Sequence, residues 1–185
     1  MKRYDEGIAQ SGRAIALDPV SPASYGNRAM IFFRARRYDE AIQAGQQALD
    51  FNPSFVNALW WQGLSYAGNR DFPKSIAVLT KGAGMNGGPL FRALLGHVYG
   101  RAGNREKAAG ILDELAAMSK QRFVSPMDFA VVYAGLGDAD STFQWLEKAY
   151  QARAIRIHEL GSMYFDSVRS DPRYAGLVRR VGLPL

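Results

Sequence analysis

Residues 82–87, Gly-Ala-Gly-Met-Asn-Gly, satisfy the spacing G-x-G-x-x-G, in which backbone amides can cradle a phosphate. That chemistry needs the motif to leave a strand and open a helix within a βαβ unit. Here it follows a helical pattern and reads as a helix C-terminus and turn. His97 and His158 stand far apart, and His158-Glu159 lacks the second histidine of a zinc helix, so no metal site and no histidine-driven nucleophile is expected. Asp113, Glu114 and Glu147 fall on faces that read as solvated. No catalytic residue, metal ligand or cofactor site is assigned. The remaining chemistry-bearing residues are aromatic and basic, above all the pair Trp60-Trp61, and these are the ordinary anchors of protein–protein contacts.

Composition narrows the classes. The chain has 185 residues, 48% of them apolar, so a core can form. It has no cysteine, which removes disulfides, thiolate metal sites and a cysteine nucleophile. No apolar run has the roughly 18–20 residues that cross a bilayer, and Met1 to Glu6 is already charged, unlike a signal peptide. A cytoplasmic location is expected. The net charge is +6, but the basic residues are scattered over helix faces, and no reading helix or basic–aromatic strand is present. Nucleic acid is not the expected partner.

What positions the aromatics is a repeat. Arg37-Tyr38-Asp39-Glu40-Ala41-Ile42 matches Arg3-Tyr4-Asp5-Glu6-Gly7-Ile8 at five of six positions, and the same period returns further along the chain. Residues 3–17 read as a helix closed by Asp18-Pro19. Ser21-Pro22 caps the next, on which Tyr25, Ala29 and Phe32 share a face. A break at Arg36-Arg37 precedes a helix with Tyr38, Ala41, Ile42, Gly45, Ala48 and Leu49 inward, ended by Asn52-Pro53. Leu59, Gly63 and Tyr66 repeat the pattern one period on, and this copy's second helix is expected to end early at Gly82-Ala83-Gly84. A third copy follows from Pro89 after a slip of one residue, with Leu95-Gly96 and Tyr99. A fourth carries Ala130 and Tyr133, one period after Gly96 and Tyr99.

Tyr25, Ala29 and Phe32, then Ala41, Gly45 and Ala48, then Pro53 resemble a tetratricopeptide repeat, a helix–turn–helix of about 34 residues. Arg28, where that family has leucine, and Gly45, where it has an aromatic, depart from it and are expected to weaken packing. The resemblance implies an all-α fold: an α-solenoid, or superhelix, of antiparallel helix–turn–helix pairs. About four repeats (22–53, 56–87, 89–119 and 123–152) would follow an unpaired N-terminal helix (1–19) and precede a C-terminal cap (154–185), all in one domain. The unpaired first helix suggests a piece of a longer protein and a surface for a homo-dimer. In the cap, Asp171-Pro172 opens a helix whose Tyr174, Leu177, Val178 and Val181 would cover the end of the stack. Residues 165–184 also resemble the tail of repeat regions in large bacterial proteins that carry a signalling domain. The alternative role is therefore a regulatory or self-associating segment of such a protein.

In this family the first helix of each pair lines a concave groove for peptides. The resemblance places Met30, Phe33, Arg34, Trp60, Trp61, Leu64, His97, Arg101, Met127 and Val131 there, with Gly68, Gly100 and Gly135 leaving room for a guest. The family's carboxylate clamp is absent, since Gly26, Asn27, Met30, Trp60 and Trp61 stand at its places. The expected function is a non-catalytic protein-interaction module that takes an apolar or amphipathic peptide or helix.

Overall fold

A computed structural model describes residues 2–86 and 88–183, and it is all-α, with no strand among them. The chain divides into two compact units, residues 1–87 and 88–185. The division falls in the glycine-rich stretch before Pro89.

The first unit holds α1 (Lys2–Leu17), α2 (Pro22–Arg34), α3 (Tyr38–Phe51), α4 (Val56–Gly68) and α5 (Phe72–Asn86). Consecutive helices pack as hairpins, and α2 also lies against α4. Ser21 caps α2 by accepting from the Ser24 amide, with Pro22 in the first turn, where its missing N–H costs nothing. The second unit holds α6 (Pro89–Arg101), α7 (Arg105–Ser119), α8 (Pro126–Leu136) and α9 (Ala139–Gln151). Two 3₁₀ segments, Ile155–Gly161 and Met163–Val168, then lead to α10 (Pro172–Val181).

The repeat is written into the backbone at the turn inside each hairpin. Arg36, Arg70, Gly103 and Gly137 all have positive φ, at +60°, +61°, +82° and +72°. Their spacings reproduce the one-residue slip seen in the sequence. Each left-handed residue lets the next amide reach back to the carbonyl of the signature aromatic: Arg37 to Phe32, Asp71 to Tyr66 and Asn104 to Tyr99 at 2.9 Å, Asp138 to Tyr133 at 3.1 Å. That closure satisfies carbonyls orphaned by the helix end. In three of the four turns the same residue then starts the next helix. Asp71, Asn104 and Asp138 accept from the amides of Lys74, Lys107 and Ser141.

Small residues set how closely the helices cross. In the first unit Ala29, Ala41, Ala48, Ala58 and Ala67 are buried. The two departures from the family pattern have jobs. A Cβ on Gly45 would lie 3.0 Å from Cβ of Gln62, so glycine there admits α4. Arg28 lies over the Phe32 ring and donates to the Ile8 carbonyl and the Ser11 hydroxyl, tying α2 to α1. Neither is the packing defect expected from the sequence. In the second unit Ala93, Ala108, Ile111, Leu115, Val124, Phe129 and Val132 form one apolar cluster.

Two expectations change. The second helix of the 56–87 repeat does not stop at Gly82-Ala83-Gly84; it continues to Asn86. Leu79 and Gly82 are both buried one turn apart, so packing outweighs glycine's helix cost of about 1 kcal/mol. The phosphate-loop spacing thus lies inside a helix, apart from Gly87, which falls outside the described residues. The C-terminal cap is also more than one helix. Tyr174, Leu177 and Val178 of α10 are buried as expected, and the 3₁₀ segments add Leu160, Met163, Tyr164, Phe165 and Val168.

Candidate interaction surfaces

Of the residues expected to line a groove, Met30, Phe33, Arg34, Trp60, Trp61 and Leu64 lie in the first unit and His97, Arg101, Met127 and Val131 in the second. In the first unit, α2 and α4 bring Phe33, Trp60 and Trp61 together. The indoles of Trp60 and Trp61 stack with centroids 4.7 Å apart and planes 12° from parallel. Phe33 tilts against Trp61 at 5.3 Å and against Tyr38 at 6.0 Å. Phe33 and Trp61 are buried, whereas Trp60 and Met30 are half-buried and Arg34 is exposed. Met30 and Arg34 are one turn apart on α2. The result is an aromatic floor with one indole, one thioether and one guanidinium open to solvent.

Leu64, by contrast, has no exposed surface and belongs to the core of α4. The glycines read as room for a guest are filled by the fold. The Tyr38 ring would lie 2.7 Å from a Cβ on Gly68. Gly26, which stands at a place of the family's carboxylate clamp, is also closed off, since a Cβ there would meet the Phe55 ring at 2.6 Å.

In the second unit, His97, Met127 and Val131 are buried between α6, α8 and the second 3₁₀ segment, and Arg101 is half-buried. None of the three buried side chains can touch a guest with the chain folded as it is. The physical reason is close helix crossing. A Cβ on Gly135 would press into the His97 carbonyl, and one on Gly100 would lie 2.6 Å from the Gly135 carbonyl carbon. These glycines seat backbone against backbone.

His97 donates from Nδ1 to the Val131 carbonyl at 2.9 Å, which fixes the tautomer because a carbonyl can only accept. Its Nε2 is then a bare acceptor, buried and without a partner, and the ring meets the edge of Tyr164 at 5.8 Å. Burial pushes the imidazole down to about 4. Close by, Arg156 donates to Asp128 at 2.6 Å and to Glu159 at 2.9 Å. Asp128 also completes the capping box of α8 with Ser125. Burial raises the Asp128 carboxyl above the usual range despite that guanidinium. This network was not legible in the sequence, because residues 154–168 carry no repeat signature.

No cluster of three or more metal-ligating side chains occurs among the described residues, and none of their helices is long and apolar enough to cross a membrane.

Hairpins of this length, each closed by a left-handed turn after an aromatic, define a helical-repeat protein of the solenoid class. A tetratricopeptide-repeat family model matches residues 1–54. A small glutamine-rich tetratricopeptide repeat-containing protein of Mycosarcoma maydis is 31% identical over 81 residues, 44% of this chain and 23% of the relative. A tetratricopeptide repeat and J domain-containing co-chaperone of Cryptococcus neoformans var. grubii is 33% identical over 72 residues, 39% of this chain and 14% of the relative. The chain thus spans less than a quarter of either relative. Among solved structures, a thermophilic repeat protein of Thermus thermophilus superposes with a TM-score of 0.67 over 96% of this chain and 92% of that one, at 18% identity. The chain is thus similar to tetratricopeptide-repeat proteins, in sequence over residues 1–54 and in fold throughout, and a fold of this kind supports a protein-interaction module in general.

Proposed function

We propose that the face shared by α2 and α4 binds an apolar or amphipathic helical segment of another protein, without catalysis. One observation carries this: Trp60 stacks on Trp61, which meets Phe33, yet stays half-exposed, and on the same helix as Phe33 Met30 is half-buried and Arg34 exposed. A rigid aromatic floor with an adaptable thioether and a guanidinium at its rim is the composition of an interaction hot spot. The guest's apolar stripe would lie over Trp60 and Met30, and an acidic residue at its edge would meet Arg34.

The test is to titrate apolar helical peptides, with and without an acidic flank, into the chain while following tryptophan emission. Trp60 is expected to respond, and Trp60→Ala to abolish the response. Trp145 stacks on Phe129 at 4.1 Å in the other unit and serves as the internal control. An unchanged response in Trp60→Ala would remove the reading.

The reading as a regulatory, self-associating segment of a larger protein rests on α1 and the turn after it. Tyr4, Leu17 and Val20 are exposed there, at 42%, 87% and 63% of their surface. Light scattering over a range of concentrations decides this, because a strict monomer excludes self-association through α1.

A further inference from the structure

The sequence register assigns α6 and α8 a face equivalent to that of α2 and α4, and in the structure this face is covered by the chain itself. The second 3₁₀ segment, Met163–Val168, lies along α8. Met163, Tyr164 and Phe165 are buried at 7%, 1% and 0%. The Tyr164 edge meets His97, and the Ser167 hydroxyl donates to the Ala134 carbonyl at 2.9 Å.

Three observations set this strap apart from ordinary core. The seat is larger than its occupant. A cleft of about 470 Å³ remains beside the strap, with His97, Arg101 and Gly135 on one wall and Tyr164 and Asp166 on the other. His97 Nε2 is left beneath the strap with its acceptor unmet, a cost that a better-matched occupant would remove. The strap's shape is also held from its outer side. Exposed Arg169 donates to Asp166 at 2.6 Å and to the carbonyls of Gly161 at 2.6 Å and Ser162 at 3.3 Å. A short 3₁₀ run has poorer hydrogen bonds than an α-helix and needs such a latch.

We propose that Met163–Val168 is a displaceable internal guest, and that the α6/α8 face takes in its place a partner protein's short aromatic–aliphatic segment. That segment sets a hydroxyl or N–H donor against His97 Nε2. The chain's own Met163-Tyr164-Phe165 shows the apolar chemistry that the seat accepts, and the bare nitrogen specifies the donor that the strap does not supply. This site is independent of the one on α2 and α4.

The test uses the full chain and, as probe, a labelled peptide with the sequence Gly161 to Ser170. Ser167→Ala combined with Arg169→Ala releases the tether and the latch while leaving the buried aromatics in place. Binding followed by anisotropy is expected to tighten about tenfold in this variant, because the competing internal segment loses two polar anchors. The His97 ring resonances should move on binding, and Trp60→Ala should leave both effects unchanged. In the wild-type chain, amides of residues 163–168 should exchange with deuterium faster than those of α8. Equal or absent binding in both proteins overturns the proposal, as does exchange of the strap only together with α8. A dimer formed by swapping the strap between two copies would also overturn the assignment to a different protein.

Discussion

Acid should destabilise the second unit through His97, by an amount that the structure sets. Nδ1–H is committed to Val131, and protonating Nε2 would create a buried N–H with no acceptor. The folded chain therefore resists the second proton down to about 4, against 6.5 for an ordinary histidine. The unfolded chain takes up that proton as pH falls through 6.5, while the native chain does not until about 4. Over that window the unfolded state binds more protons, so stability is full above the window and falls as pH falls. At about 1.36 kcal/mol per unit of pKa, the loss amounts to about 3 kcal/mol. Asp128 works the other way, because burial raises its carboxyl and acid relieves it, but it does so with or without His97. The assay is urea unfolding of the wild type and of His97→Asn, in which the Asn amide can still donate to Val131, at steps from pH 7.5 to 4. The difference between the two proteins should shrink by about 3 kcal/mol toward low pH. Parallel curves would show that His97 is not buried with an unmet nitrogen.

Other outcomes follow from geometry. Gly135→Ala drives a methyl group into the His97 backbone, which cannot yield, and should cost at least the roughly 1–3 kcal/mol of ordinary overpacking in a thermal melt. Arg156→Ala strands Asp128 in the interior and should destabilise by about 3–5 kcal/mol in urea, with Asp128→Asn in the same background recovering part of it. Arg70→Gly relieves a left-handed non-glycine residue and should raise stability by up to about 1 kcal/mol, whereas Gly137→Ala, at the equivalent turn, should lower it similarly.

The repeat was legible because it is written twice, in the small and aromatic positions and in the spacing of the turns. Tyr66, Tyr99 and Tyr133 marked the register, and their carbonyls close the turns of α4, α6 and α8. The cap's 3₁₀ segments were not legible, since residues 155–168 have neither helical periodicity nor a repeat to match. The surface was half legible. Sequence placed Trp60, Met30 and Arg34 on the open side, but it could not separate them from Leu64 or Met127. Within each unit α2 also buries a face against α4, and α6 against α8. Glycines misled for a related reason: a missing side chain reads equally as space for a guest or as contact between backbones, and Gly100 and Gly135 are contacts. Gly84 does not end α5, which continues to Asn86 although its last buried residue among those described is Gly82.

The most direct test of the interaction surface is a chemical-shift map of the intact chain with the best apolar helical peptide. The account predicts perturbations centred on the Trp60 indole, the Met30 methyl and the Arg34 guanidinium, all lost in Trp60→Ala while α3 and α5 stay silent. Shifts centred on the outer faces of α3 and α5, with Trp60 unmoved, would contradict it.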